Sequence, residues 1–81
     1  MTVKILYFAS FRERAGRDED DRAVEDGTRV RDLWDALARE IPHFAAFSAM
    51  PPAAVNCEYA DPATVLRDGD EVAFLPPVAG G

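Results

Sequence analysis

The chain has 81 residues and a formal net charge of −6, so it has room for one small domain and repels nucleic-acid phosphate and anionic lipid. We therefore expect no nucleic acid and no membrane among its partners, and no apolar run approaches the roughly 18 residues of a membrane span. The core of so short a chain is too shallow to enclose a deep catalytic pocket, which argues against an autonomous active site.

The acidic balance and the single cysteine also bear on the protein's surroundings. An acidic surface fits docking onto a basic protein surface, although a solvated surface that keeps the protein soluble is the commoner explanation. Cys57 is the only cysteine, so no internal disulfide is possible. Residues 1–5 run directly into strand-like sequence without the features of a signal peptide, and we therefore expect a cytoplasmic protein.

The N-terminal part of the chain predicts a strand followed by a short helical turn. Residues 3–8 are rich in branched and aromatic side chains. Both faces of this strand are apolar by Leu6 and Phe8, which suits a central strand or one whose second face meets another protein. Residues 11–16 predict a helical turn that ends at a glycine in the left-handed conformation.

Three features that resemble functional sites are interpreted as ordinary structure. The acidic run at residues 18–21 is interpreted as a solvated loop, because successive carboxylates point in different directions and lack the glycine of a calcium loop. A short edge strand is predicted after it, at residues 22–25. His43 has no cysteine or carboxylate at ligand spacing, so we expect it to have a surface or packing role. Cys57 has no histidine nearby in sequence, so we expect it to have a structural role. No metal site is predicted.

The strongest pattern in the sequence is an amphipathic helix after residue 28. Thr28 can cap its N-terminus, and Pro42 stops it at Ile41. Trp34 belongs to the apolar stripe, so we expect it to pack in the core rather than to stack on a base or cofactor. The stripe at helical spacing consists of Val30, Leu33, Trp34, Leu37, Ala38 and Ile41.

The second half of the chain predicts short strands joined by turns. An irregular connection with a possible extra turn at 43–52 precedes a strand at 53–56, a return strand that begins at 57, a turn at 68–70 and a final strand at 71–75. Asn56 ends the first of these strands with a side chain that tolerates left-handed turn geometry. The order of elements predicts an α+β domain over residues 1–75, with one main amphipathic helix on one face of a mixed sheet.

Residues 76–81 are expected to form a flexible tail that carries the chemistry. Pro76 and Pro77 favour an extended backbone that projects the tail, and the lack of side chains at Gly80 and Gly81 lets a partner approach the terminal carboxylate closely. A carboxylate is a poor electrophile until it is activated, for example by transfer of AMP from ATP. The sequence has no G-x-x-x-x-G-K-[ST] loop to hold phosphates, so the nucleotide-binding site is expected on another protein.

Three segments of the sequence form a recognisable set: Tyr7-Phe8-Ala9 with Arg12-Glu13 and Gly16, then Ala54-Val55-Asn56, and above all D-G-D-E-V-A-F-L-P-P-V-A-G-G at residues 68–81. Together they resemble the family of small, sulfur-carrying subunits of molybdopterin synthase. The resemblance extends over essentially the whole chain and implies a ubiquitin-like β-grasp fold with a protruding C-terminal tail. It also implies that the terminal glycine is adenylated, converted to a thiocarboxylate and used to donate sulfur to cyclic pyranopterin monophosphate.

The resemblance also implies site residues and partners. Gly81 would hold the acyl-adenylate and then the thiocarboxylate, which are transient covalent states rather than bound cofactors, and Gly80 would give clearance. The partners would be the large synthase subunit in a 2+2 heterotetramer, an ATP-dependent adenylating enzyme of the ubiquitin-activating type and a sulfur donor system. Pro76, Pro77, Val78 and Ala79 would line the insertion path, and Phe8, Tyr59 and Leu75 would form an apolar docking patch.

Three alternatives remain open on the sequence. The chain could carry sulfur for the thiazole of thiamine or for a thiolated tRNA base, since such carriers share the fold and the Gly-Gly end. It could be a ubiquitin-like modifier, in which Gly81 forms an amide with a protein lysine. It could also be a plain binding module with an inert tail.

Overall fold

The structure is a computed structural model that describes residues 1–46 and 49–75. These residues form five strands, two α-helices and one turn of 3₁₀ helix. In chain order the elements are β1 (Thr2–Tyr7), α1 (Ala9–Ala15), β2 (Glu19–Ala23), α2 (Val30–Glu40), the 3₁₀ turn (Phe44–Ala46), β3 (Ala53–Val55), β4 (Glu58–Ala60) and β5 (Glu71–Phe74). No helix in these two ranges is long and apolar enough to cross a membrane.

The five strands form one mixed sheet in the order β2-β1-β5-β3-β4. β5 lies in the centre, where it pairs in parallel with β1 and antiparallel with β3. The outer pairs, β1 with β2 and β3 with β4, are antiparallel. The prediction of an α+β domain with a mixed sheet is confirmed, and the arrangement matches the β-grasp fold.

The core lies between one face of the sheet and α2. Val30, Leu33, Trp34 and Leu37 of α2 are buried, as the apolar stripe predicts, and Trp34 is only 5% exposed. Its indole ring packs on Phe74 at 5.1 Å between ring centroids and stacks on Phe44 at 5.4 Å. Burial of a large apolar side chain of this kind contributes about 1.5–3 kcal/mol to folding. Trp34 is therefore a core residue.

The interpretation of residues 18–21 as a loop is wrong for all but Asp18, because β2 begins at Glu19. Backbone pairing with β1 holds these residues in a strand, in which Asp21 lies opposite Lys4 and Glu19 lies opposite Leu6. β2 is an edge strand, and its charged side chains are compatible with that place since one edge of the strand faces solvent. The predicted edge strand therefore exists but begins three residues earlier.

The cap of α2 also differs from the prediction. Arg29, not Thr28, is the N-cap residue, and its backbone N–H donates to the Asp32 carboxylate at 3.0 Å. The Thr28 hydroxyl instead donates to the carbonyl of Glu25 at 2.7 Å and closes the preceding turn. The helix ends at Glu40, where Ile41 is the C-cap immediately before Pro42.

One ion pair fastens the edge strand to the end of α2. The Arg22 guanidinium donates through both terminal nitrogens to the Glu40 carboxylate. This hydrogen bonding holds the pKa of Glu40 below its usual range and raises that of Arg22. Because the Glu40 side chain is largely exposed, the pair contributes no more than about 1 kcal/mol.

Candidate docking site

The face of the sheet that α2 does not cover carries a row of side chains fixed by the strand register. Leu6 of β1 pairs with Ala73 of β5, Ala73 pairs with Ala54 of β3, and Ala54 pairs with Tyr59 of β4. Directly paired residues project from the same side of a sheet, so these four side chains share the face opposite the core. We call the set formed by Leu6, Phe8, Ala54, Tyr59, Ala73 and Leu75 the apolar face.

A mostly apolar hollow of about 210 Å³ lies within this face. Its walls include Phe8 and Leu75, two of the three residues predicted to form a docking patch. Phe8 is 46% exposed, and Leu75 is partly buried. The remaining wall residues are Leu6, Ala54, Cys57, Glu71 and Ala73. Exposed large apolar side chains grouped around a hollow are typical of a protein interaction site.

Tyr59, the third predicted patch residue, lies away from the hollow on the outer strand β4. It is 82% exposed and stands opposite Ala54 in the strand pairing, so it extends the same face toward the sheet edge. The structure thus brings Phe8 and Leu75 together and leaves Tyr59 apart from them, on the same face of the sheet. The role of all three in docking remains a prediction.

Leu6, Ala54 and Ala73 belong to the apolar face but were not predicted as site residues. The sequence holds a signal for Leu6, since both faces of the first strand become apolar there. No comparable signal exists for the two alanines, because small apolar residues are equally common in buried strands. Only the strand register brings them into one row with Leu6.

The apolar face adjoins Leu75, the last residue that the structure describes. Because β1 and β5 are parallel, their carboxyl ends meet at one edge of the sheet, and Phe8 and Leu75 directly follow these two strands. The backbone N–H of Leu75 donates to the Pro52 carbonyl at 2.9 Å and anchors the last described residue. Residues 76–81, which include every predicted residue of the tail, lie outside the described residues.

A hydrogen-bonded clasp at the opposite end of β5 fixes where this strand starts. The Asn56 side chain accepts from the backbone N–H of Glu71 at 3.0 Å and donates to the Asp70 carboxylate at 2.9 Å. Asp70 also accepts from the backbone N–H of Arg67 at 2.8 Å. Asn56 has a φ of 52°, a left-handed conformation that asparagine adopts more readily than most residues. The clasp holds the register of β5, the strand that leads to Leu75.

The histidine, cysteine and carboxylate side chains of the described residues bear on a possible metal site. Within residues 1–46 and 49–75, no group of three or more histidine, cysteine, aspartate or glutamate side chains is placed so that it could hold a metal ion. His43 is exposed, as predicted for a residue without ligand partners, and Cys57 is a free, exposed thiol with a φ of 71° in the turn between β3 and β4. The arrangement is suited to recognition by a protein partner.

The fold and the apolar face define a small β-grasp protein that presents a sheet face next to the base of its C-terminal segment. The model of the ThiS family matches residues 5–81. The chain therefore belongs to the ThiS family.

Comparison with known proteins shows close relatives over the whole chain. It is 44% identical to the molybdopterin synthase sulfur carrier subunit of Mycobacterium tuberculosis, over 98% of this chain and 96% of the relative. It is 39% identical to the protein of the same description from Chlamydomonas reinhardtii, over the full length of both.

Solved structures of similar fold include proteins with related descriptions. A structure described as molybdopterin converting factor, subunit 1, from Pyrococcus furiosus is 36% identical, with a TM-score of 0.86 over 96% of this chain and 99% of that one. SAMP1 of Haloferax volcanii is 27% identical, with a TM-score of 0.84 over both full chains. A complex of subunits 1 and 2 of molybdopterin-converting factor from Helicobacter pylori contains a chain that is 26% identical, with a TM-score of 0.70 over both full chains.

Proposed function

We propose that this protein is the sulfur-carrier subunit of molybdopterin synthase in molybdenum cofactor biosynthesis. The observation that carries the proposal is the apolar face beside the carboxyl end of β5, because it lets a partner hold the domain while it receives the six residues that follow Leu75. Full-length relatives described as molybdopterin synthase sulfur carrier subunits support the choice of pathway.

The proposed reaction begins at the C-terminal carboxylate of Gly81. A carboxylate oxygen attacks the α-phosphorus of ATP in the adenylating enzyme and displaces pyrophosphate, which gives an acyl-adenylate. Sulfide supplied by a donor system then attacks the acyl carbon and displaces AMP, which leaves a thiocarboxylate. In the large subunit this sulfur forms a bond to a carbon of cyclic pyranopterin monophosphate, and water then cleaves the bond between the sulfur and the acyl carbon, which leaves the sulfur on the product and restores the carboxylate of Gly81.

The other tail residues serve access in this proposal. Gly80 gives clearance for the activating cofactor, and residues 76–79 occupy the insertion path. Ordering such a tail in a partner costs about 1–2 kcal/mol per residue in backbone entropy. Docking of the apolar face, which includes the exposed Phe8 beside Leu75, offsets this cost.

The proposed principal partner is the large subunit of molybdopterin synthase, in a cytoplasmic heterotetramer of two small and two large subunits. The complex of subunits 1 and 2 from Helicobacter pylori supports a partner of this kind. The adenylating enzyme is proposed as a second partner that uses the same tail.

Intact-mass measurement tests the proposal directly. After incubation with the adenylating enzyme, ATP and a sulfur donor, the mass should rise by the difference between sulfur and oxygen, about 16 Da by simple atomic exchange. Deletion of Gly81, or addition of one residue after it, should abolish loading without changing the melting temperature. A chain of unchanged mass would contradict a sulfur carrier, and delivery of sulfur only to thiazole or tRNA would contradict the choice of pathway.

A second candidate function is modification of other proteins through an amide bond from Gly81 to lysine. The likeness to small archaeal modifier protein 1 from Haloferax volcanii and from Methanosarcina acetivorans favours it, with TM-scores of 0.82 and 0.81 for two such structures. Expression of a tagged chain followed by denaturing purification distinguishes the two functions. Conjugates that survive reducing agent and boiling would favour the modifier, whereas a thiocarboxylate alone would favour the carrier.

A further inference from the structure

The uncovered sheet face has a charged half beside its apolar half. Lys4 and Glu71 lie two residues before Leu6 and Ala73 on the same strands. Lys4 pairs with both Asp21 and Glu71, so these three residues form a second row on the same side of the sheet. Glu19, which lies on the edge strand β2 opposite Leu6, adds a further carboxylate next to this row. The face therefore changes from apolar to acidic over a distance of about two residues, or roughly 7 Å.

A hollow of about 440 Å³ occupies the acidic half, and Asp21, Asp68 and Glu71 line it. Lys4 is the only basic residue among the residues that line it, and its ammonium group lies 3.7 Å from the Glu19 carboxylate. We call Glu19, Asp21, Asp68 and Glu71 the acidic margin. Four carboxylates against one ammonium group leave this margin with a clear excess of negative charge at neutral pH.

Glu71 joins the two halves, because it lines both the acidic hollow and the apolar hollow. It is exposed and lies on the central strand β5, in the row next to Ala73. Any partner surface that fills the apolar hollow therefore contacts Glu71. A partner without a cation at that point would leave Glu71 partly desolvated and unpaired, which is unfavourable.

We propose that the acidic margin pairs with basic side chains that border the apolar site on the large subunit, and that Glu71 is the main specificity-determining charge of this interface. The inference rests on the proposed function, since the same face must dock the large subunit. A second copy of this chain is a poor occupant, because it offers the same excess of carboxylates and little positive charge. Part of the net charge of −6 would thus serve to bind this partner.

Charge reversal at Glu71 tests the inference with a matched control. The Glu71→Lys variant and an Asp35→Lys variant undergo the same change in net charge, but Asp35 is exposed on α2, on the other side of the sheet. Affinity for the large subunit encoded in the same genome is measured for both variants and for the unaltered chain, at salt concentrations from about 0.05 to 0.5 M. Thermal melting of each variant reports its folding.

We expect Glu71→Lys to raise Kd by at least about tenfold at low salt, mainly through slower association, and Asp35→Lys to change it by less than about twofold. Asp21→Lys should weaken binding in the same direction, which keeps the test decisive if Glu71→Lys lowers stability. Equal effects of Glu71→Lys and Asp35→Lys on Kd would overturn the proposed role of the acidic margin in binding but would leave the proposed function intact. Failure of the unaltered chain to bind would overturn both, and self-association through this face would identify a second copy as the occupant.

Discussion

Truncation of Phe8 is the most direct test of the apolar face. Aromatic side chains bury about 150–250 Å² in proteins, so the 46% exposure of Phe8 leaves roughly 70–115 Å² for a partner to cover. At about 25 cal/mol per Å², covering this area contributes about 2–3 kcal/mol to binding. The Phe8→Ala variant should therefore bind the large subunit roughly 30- to 150-fold more weakly.

Val65→Ala is the matched control, because Val65 is 49% exposed but does not line the apolar hollow. Isothermal titration with the large subunit measures Kd for both variants, and circular dichroism measures their melting temperatures. We expect the control to bind within about twofold of the unaltered chain, since a truncated surface residue outside an interface changes little. Equal affinities for Phe8→Ala and the unaltered chain would refute the assignment of this face to docking.

Two further predictions concern the fold that supports the site. Asn56→Ala loses two hydrogen bonds and a favoured left-handed residue, so we expect the free energy of unfolding to fall by about 1–3 kcal/mol. Asn56→Gly, which keeps the backbone conformation, should recover part of the loss, and equal urea midpoints for all three chains would contradict the clasp. The Tyr7 hydroxyl is buried without a hydrogen-bond partner in the described part of the chain, and burial raises its pKa above the ordinary 10.0. The unfolded chain therefore ionises first, and stability falls as pH rises through 10 toward the folded pKa. Tyr7→Phe should be as stable as the unaltered chain at neutral pH and should lose less stability above pH 10 in urea titrations; a steeper loss would contradict this account.

The sequence was informative where a periodic pattern coincided with a strong local signal. The apolar stripe of α2 and the stop at Pro42 predicted the helix and its core residue Trp34, and both are observed. Gly16, with a φ of 78°, ends α1 as its position in the sequence implied. These features depend on contacts between near neighbours in the chain, and a single sequence records them well.

The errors arose where distant backbone pairing decided the structure. Glu19 and Asp21 have low strand propensity, yet hydrogen bonding to β1 makes them part of β2. Thr28 is a good capping residue by type, but its hydroxyl bonds to the preceding turn and Arg29 takes the cap position. The composition of the apolar face depends on the register of four strands, so only part of it could be predicted.

The central position of β5 in the sheet affects how the domain folds as well as how it functions. Among the described strands, β5 is synthesised last, yet it joins the β1–β2 pair to the β3–β4 pair. Until it inserts, Leu6 and Ala54 cannot be bridged by Ala73, so the apolar face does not exist. Insertion also requires contacts between residues far apart in sequence, which generally makes folding slow. A partner that binds through this face would therefore select chains in which β5 has already paired with β1 and β3.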